Sequence, residues 1–131
     1  GLEPSLDMVL EAGIGSLRQK SVAQGDYLIA LAKQWLLKHG FRIGSPELSE
    51  KRGSHVALKH AEGYRICRAL SDPDSGSHAV IPDFREPNNI RLGITPLYTS
   101  FEEIFLALSQ LKEIMEKKTY EQYPNSRAQV T

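Results

Sequence analysis

The sequence predicts an α+β domain: a two-layer fold with a short, mostly antiparallel sheet of about four strands and helices packed on one face. Apolar residues recur at helical spacing near both ends of the chain, and short extended segments lie between them. A chain of 131 residues with 40% hydrophobic content can bury one core but hardly two. We therefore expect one domain in the order helix, helix, strand, strand, helix, strand, strand, helix.

The N-terminal part predicts two helices. Pro4 and Ser5 suit a helix start, whereas Gly13 and Gly15 lower helix propensity and predict a break or kink. The longer second helix should run from about residue 15 to 39, with Gly40 as its left-handed end. Its apolar stripe contains Leu17, Val22, Leu28, Leu31, Ala32, Trp35 and Leu36.

The middle of the chain predicts short strands around a third helix. Residues 41–43 and 55–60 read as strands, with a polar loop at 47–52 between them. Residues 62–71 have helical spacing and place Cys67 on the apolar side, where it is a small buried hydrophobe. Residues 72–77 are turn material, and 78–81 enter a third strand.

Pro82 marks either the edge of the sheet or the end of the third strand, because proline cannot donate a ladder hydrogen bond. Residues 83–89 then predict a charged turn into the next strand. In that strand, residues 90–95, apolar Ile90, Leu92 and Ile94 alternate with polar or small residues, and Pro96 ends it.

Arg91 is the candidate site residue, because it occupies the polar face of this strand beside a residue without a side chain, Gly93. A guanidinium is always charged and fits a carboxylate or phosphate with two parallel hydrogen bonds. Judged from spacing alone, a structural ion pair with an acidic side chain is the simpler interpretation. Residues 52–55 could also form an anion-binding loop, although a solvent-facing loop fits that pattern better.

The C-terminal part predicts a core helix followed by a polar tail. Thr99 or Ser100 caps the helix, and acidic residues at its start and lysines at its end match its dipole. Beyond Tyr120 the chain becomes polar, and we expect it to fray from Pro124 onward. The apolar stripe contains Phe101, Ile104, Phe105, Leu108, Leu111, Ile114 and Met115.

Composition excludes several classes of partner. Sixteen basic residues balance sixteen acidic ones, so no net field favours nucleic acid or an anionic membrane. The single cysteine can form no internal disulfide and no long apolar run is present, which predicts a cytoplasmic protein. The four histidines lack zinc spacing, so we expect no metal.

Several segments resemble one family. Residues 80–87 (Val-Ile-Pro-Asp-Phe-Arg-Glu-Pro) and 90–101 (Ile-Arg-Leu-Gly-Ile-Thr-Pro-Leu-Tyr-Thr-Ser-Phe) closely resemble the C-terminal part of the kynureninases, pyridoxal-phosphate enzymes of tryptophan breakdown with fold type I. Residues 11–14 (Glu-Ala-Gly-Ile), 17–21 (Leu-Arg-Gln-Lys-Ser) and 52–58 (Arg-Gly-Ser-His-Val-Ala-Leu) agree. In that family the arginine matching Arg91 binds the substrate α-carboxylate, so the resemblance favours substrate binding over a structural ion pair.

The resemblance implies a fragment of a longer homodimeric enzyme, which hydrolyses L-kynurenine or its 3-hydroxy form to anthranilate or 3-hydroxyanthranilate and L-alanine. Residues 1–13 would end an interdomain helix, 14–120 would form the C-terminal small domain, and 121–131 a flexible tail. This small domain would supply Arg91 and a movable wall of the cleft.

The large domain, which this chain lacks, would hold pyridoxal phosphate and the Schiff-base lysine. None of the eight lysines here has a suitable setting, so we expect no catalytic, cofactor-binding or metal-binding residue in this chain and no activity of the chain alone.

Two alternatives stay open at this stage. Related pyridoxal-phosphate enzymes, such as cysteine desulfurases and small aminotransferases, have a similar small domain that also uses an arginine for the substrate carboxylate. The motif containing Arg91 favours kynureninase over these. The chain could also be a free-standing interaction module, and both a severed domain and a module would expose an apolar patch on the helix containing Leu6, Val9 and Leu10.

Overall fold

A computed structural model describes residues 6–46, 55–72 and 79–125. Within these residues the predicted two-layer α+β architecture is confirmed. The described elements are helices α1 (Leu6–Trp35), α2 (Gly63–Leu70) and α3 (Phe101–Lys117), and strands β1 (Arg42–Ile43), β2 (His55–Lys59), β3 (Val80–Arg85) and β4 (Asn89–Ile94). Two 3-10 turns, Leu37–His39 and Thr119–Gln122, follow α1 and α3.

The described strands form one antiparallel sheet in the order β1-β2-β4-β3. Strand β4 is therefore central, and its residue Arg91 lies opposite Ala57 of β2 and Asp83 of β3. Strand β3 forms one edge, which explains how Pro82 fits inside it, since an edge strand does not need every N–H for a ladder. The predicted edge position of Pro82 is confirmed.

One face of the sheet is covered by the helices. Val56 and Leu58 of β2 and Ile90 and Leu92 of β4 are at most 1% exposed, and they alternate with half-buried residues on the other face. Helices α1, α2 and α3 all contribute buried side chains to the same core. Alternation along each strand therefore separates a covered face from an open one.

The predicted break near Gly13 and Gly15 is wrong, because α1 is a continuous helix of 30 residues. Built Cβ atoms at either glycine would meet no atom within 4 Å, so neither residue is required by close packing. Each glycine lowers helix stability by about 1 kcal/mol, a cost that the flanking helical residues can carry. The predicted left-handed conformation of Gly40 is confirmed (φ 90°), but Gly40 ends the 3-10 turn Leu37–His39, and α1 itself ends earlier than predicted, at Trp35.

Residues 83–85 were predicted as part of a turn, and this is wrong because β3 continues to Arg85. The turn comprises only the residues between Arg85 and Asn89. Charged residues are tolerated in this strand because they lie at the sheet edge.

Helix α3 begins at Phe101, and of the two predicted caps, Thr99 and Ser100, Ser100 is the one that caps it. The Ser100 hydroxyl accepts a hydrogen bond from the Glu103 N–H (3.1 Å), and the Glu103 carboxylate accepts one from the Ser100 N–H (3.0 Å). The predicted stripe is correct for its five buried members, but Phe101 and Phe105 are 42% and 43% exposed. These two rings pack at the rim of the core, against Tyr27 and Trp35.

The 3-10 turn after α3 is attached to α2. The Arg65 guanidinium donates to the backbone oxygens of Glu121 (2.7 Å) and Tyr123 (3.0 Å), and the Tyr123 hydroxyl donates to Asp72 (2.8 Å).

The division of the chain into residues 1–13, 14–120 and 121–131 stays a prediction. The expected helix start at Pro4 and Ser5 and the loop at 47–52 lie outside the described residues. So do residues 52–54 of the possible anion loop at 52–55, residues 73–77 of the turn at 72–77, and the part of the predicted tail from 126 onward.

Candidate anion-binding site

Arg91 lies on the open face of the sheet, in the middle of the central strand. Its neighbours Ile90 and Leu92 are fully buried on the other face, so the alternation of β4 fixes the side on which the guanidinium lies. Beside it is a depression of about 320 Å³, lined by His55, Ile81, Asp83, Arg91, Gly93 and Thr95 together with Ile94. The candidate residue from the sequence therefore borders an open concave surface.

Gly93 contributes to the space beside Arg91. A Cβ built at Gly93 would meet the backbone oxygen of Ile81 at 3.5 Å, which is an ordinary van der Waals contact. The strand does not need glycine there for packing. Because Gly93 has no side chain, the depression is not filled at this position. His55 lies opposite Gly93 in the ladder.

The carboxylate nearest to Arg91 in the ladder is engaged elsewhere. Asp83 lies opposite Arg91, but its carboxylate pairs with the Nε of Arg85 at 2.9 Å. Among the residues that the structure describes, no carboxylate lies within ion-pair distance of Arg91. The structural ion pair that spacing alone favoured is thus absent from this part of the chain.

His55 is the hydrogen-bond partner of Arg91. The Arg91 Nη2 lies 3.3 Å from the His55 Nδ1, and since arginine can only donate, Nδ1 is the acceptor. Burial first, and then the positive charges of Arg91 and Arg85, lower the pKa of His55 below its ordinary value of 6.5. The neutral imidazole is therefore the form that suits this contact at neutral pH.

The end of β4 is locked to the rest of the fold through Thr99. Its buried hydroxyl accepts from the Thr95 N–H (3.1 Å) and donates to the Ala79 oxygen (3.0 Å). The backbone oxygen of Thr99 in turn accepts from the Nε2 of buried Gln24 on α1 (2.6 Å). These contacts fix the strand that carries Arg91 against β3 and α1.

Sequence reasoning did not find His55, Thr99 or Gln24 in these roles. His55 was considered as a strand start and as the end of a possible anion loop, and its contact with Arg91 joins residues 36 positions apart. Thr99 was considered only as a helix cap. Gln24 offered a signal, because it precedes Leu28 by four residues and so falls on the apolar stripe of α1, where a polar residue needs a buried partner.

Apolar side chains are exposed beyond the strand end. Leu97 is 65% exposed and Tyr98 is 78% exposed.

Within the described residues, no group of three or more His, Cys, Asp or Glu side chains is placed to hold a metal ion. No helix in that part of the chain combines the length and hydropathy needed to cross a membrane.

Comparison of the sequence with known proteins relates the chain to one family. Residues 17–111 match the family model described as the kynureninase C-terminal domain. The chain is 43% identical to the kynureninases of Geobacillus thermodenitrificans and Bacillus anthracis, over 94% of this chain and 28% of each relative. It is 41% identical to the kynureninase of Pseudomonas fluorescens over 92% of this chain and 28% of the relative. The chain thus spans little more than a quarter of the length of these relatives.

Proposed function

Because the chain belongs to the kynureninase C-terminal domain family, we propose that it is the small domain of a kynureninase and that Arg91 binds the substrate α-carboxylate. The observation that carries the proposal is the state of Arg91. Its guanidinium borders a depression and has no carboxylate partner among the described residues. A cation in this state is ready to receive an anion.

The reaction in this proposal is the hydrolysis of L-kynurenine, or its 3-hydroxy form, to anthranilate, or 3-hydroxyanthranilate, and L-alanine. The role of Arg91 is to bind and orient. Two parallel N–H donors of Arg91 would bind both carboxylate oxygens and fix the rotation of the substrate about its Cα. We call this arrangement the carboxylate clamp. The rigid strand beneath Arg91 keeps this clamp in place, since Ile90 and Leu92 are fully buried.

Pyridoxal phosphate would supply the electron sink that weakens bonds at the substrate Cα and Cβ. The described residues do not form a site for it by themselves. No lysine lines the depression beside Arg91, and the one acid there, Asp83, is paired with Arg85. In this proposal the large domain binds the cofactor, the complete enzyme is a homodimer, and the chain alone is inactive. A cytoplasmic location is also part of the proposal.

The comparisons favour kynureninase over the related desulfurase and aminotransferase domains, since the relatives described above are kynureninases. An exposed apolar surface at Leu97 and Tyr98 is compatible with a severed domain and with an interaction module. The Arg91 clamp distinguishes them, because only the enzyme needs it for turnover.

Replacing Arg91 with alanine in the complete enzyme tests the proposal. Two charge-assisted hydrogen bonds of roughly 1.5–3 kcal/mol each predict a loss of about 3–6 kcal/mol in transition-state binding, or about two to four decades in kcat/KM. Arg91→Lys should recover only part of the loss, because an ammonium is a point charge without a planar fork.

Arg42→Ala is the matched control, since Arg42 is an exposed arginine on β1, two strands away from Arg91, and does not line the depression. It should leave kcat/KM within about threefold of the wild type, because a surface substitution away from the site usually changes free energies by no more than about 0.5 kcal/mol. A lower melting temperature for Arg91→Ala with unchanged kcat/KM would contradict the proposal and would make Arg91 a structural residue.

A further inference from the structure

His55 and Arg91 lie on adjacent strands and meet on the open face of the sheet. Arg91 lies on β4 and His55 begins β2, and the atoms that meet are the Nη2 of Arg91 and the Nδ1 of His55, at 3.3 Å. A neutral imidazole differs from a carboxylate partner, because it occupies one donor of the guanidinium and leaves the positive charge uncompensated. The contact therefore holds the arginine without neutralising it.

We propose that His55 is a positioning residue for the carboxylate clamp: its neutral imidazole accepts one N–H from Arg91 and thereby holds the guanidinium in the orientation that receives the substrate. This inference rests on the proposed function of Arg91 and adds a second residue to that site.

The donor count of Arg91 supports the arrangement. A guanidinium has five N–H donors, of which His55 takes one, and a bidentate carboxylate needs two more. Enough donors remain for both partners at once. Without His55 the long side chain would sample several rotamers over the depression, and substrate binding would have to include the cost of ordering it.

The surroundings of His55 keep its imidazole in the accepting form. The charged groups that face it are Arg91 on β4 and Arg85 and Asp83 on β3, and the helices lie on the opposite face of the sheet. The Asp83 carboxylate is held by Arg85, so the described charges around the imidazole leave it beside a net excess of positive charge. A second proton on His55 would remove the acceptor that Arg91 uses.

The test uses the complete enzyme with two substitutions of His55. His55→Ala removes the acceptor and should lower kcat/KM about tenfold, which corresponds to one hydrogen bond to a charged group at the weak end of its range. His55→Asn supplies a neutral oxygen near the position of Nδ1 and should stay within about threefold of the wild type. Equal loss in both variants, or no loss in either, would overturn the proposal.

A double-mutant cycle separates positioning from a general structural role. If His55 acts through Arg91, then His55→Ala should have almost no further effect on kcat/KM in the Arg91→Ala background. A further tenfold loss in that background would overturn the inference. Melting temperatures of the four proteins show that the kinetic changes belong to folded enzyme.

The outcomes also distinguish this inference from the proposed function. If Arg91→Ala leaves kcat/KM unchanged, the clamp itself is wrong. If Arg91→Ala costs decades while His55→Ala costs nothing, the clamp stands and the positioning role of His55 is wrong.

Discussion

The two faces of the sheet differ in what their side chains do. On the covered face, Ile90 and Leu92 are fully buried among helices and can act only through packing. On the open face, one residue away in sequence, Arg91 has no described carboxylate partner and one hydrogen bond to a neutral histidine. Because side chains alternate between the two faces of a strand, residues that stabilise the core and the residue that we propose to bind the substrate occupy alternate positions of β4.

The open face itself contains a second contrast, between its two arginines. Arg85 is held by Asp83 at 2.9 Å, whereas Arg91 lies opposite Asp83 in the ladder and does not pair with it. Both side chains have the same charge and the same length. The difference lies in which one already has an anion, and this makes Arg91 the candidate for an external carboxylate.

The largest expected change in stability is on the covered face. Leu92→Ala should lower the free energy of unfolding by about 2–5 kcal/mol, because it removes a fully buried side chain from the centre of the sheet. The kcat/KM of the folded enzyme should change little. Chemical denaturation measures the first quantity. Leu97→Ala, at a 65% exposed leucine, is the control and should stay within about 0.5 kcal/mol. A small effect of Leu92→Ala would mean that the two faces do not divide as described.

An intermediate change is expected where β4 joins the neighbouring elements. Thr99→Val keeps the shape of the side chain but leaves the Thr95 N–H and the Ala79 oxygen without their partner. We expect a loss of about 1–3 kcal/mol in the free energy of unfolding, the usual cost of unsatisfied buried polar groups. Thr95→Val, at an exposed threonine nearby, should be nearly neutral. Equal effects of the two substitutions would show that the Thr99 hydroxyl does not lock the strand end.

The smallest change is expected on the open face, from the protonation of His55. Because the pKa of His55 is lowered in the folded protein, the unfolded chain binds this proton first as the pH falls below 6.5. His55 therefore leaves stability unaffected above pH 6.5 and reduces it as the pH falls from there towards the folded pKa. Melting curves at several pH values should show less loss at acid pH for His55→Asn than for the wild type. The same acid loss in both proteins would contradict the lowered pKa.

Local patterns were sufficient for most elements and for the orientation of Arg91. The alternation of residues 90–95 predicted both the strand and its polar face, and a cap at Thr99 or Ser100 followed by acidic residues predicted where α3 starts. Errors arose where a local preference was weaker than its context. Gly13 and Gly15 lie within a long helix that continues through them, and residues 83–85 extend an edge strand that pairs with β4.

The partner of Arg91 could not be predicted in the same way. The contact with His55 depends on β4 pairing with β2 as well as with the sequence-adjacent β3, and on the register that places His55 opposite Gly93. The engagement of Asp83 by Arg85 is likewise a choice between two nearby cations that the sequence leaves open. Whether the Arg91 guanidinium is paired with a carboxylate therefore depends on which strands are neighbours in the sheet.

The most direct measurement of the central claim compares a competitive inhibitor that carries the substrate-like carboxylate with its neutral carboxamide. In the complete wild-type enzyme the carboxylate form should bind about 100-fold tighter or more, since two charge-assisted bonds depend on the negative charge. Arg91→Ala should reduce that preference to less than about tenfold, and Arg42→Ala, at an exposed arginine outside the depression, should leave it intact. A full preference for the carboxylate in Arg91→Ala would contradict the assignment of Arg91 as the clamp.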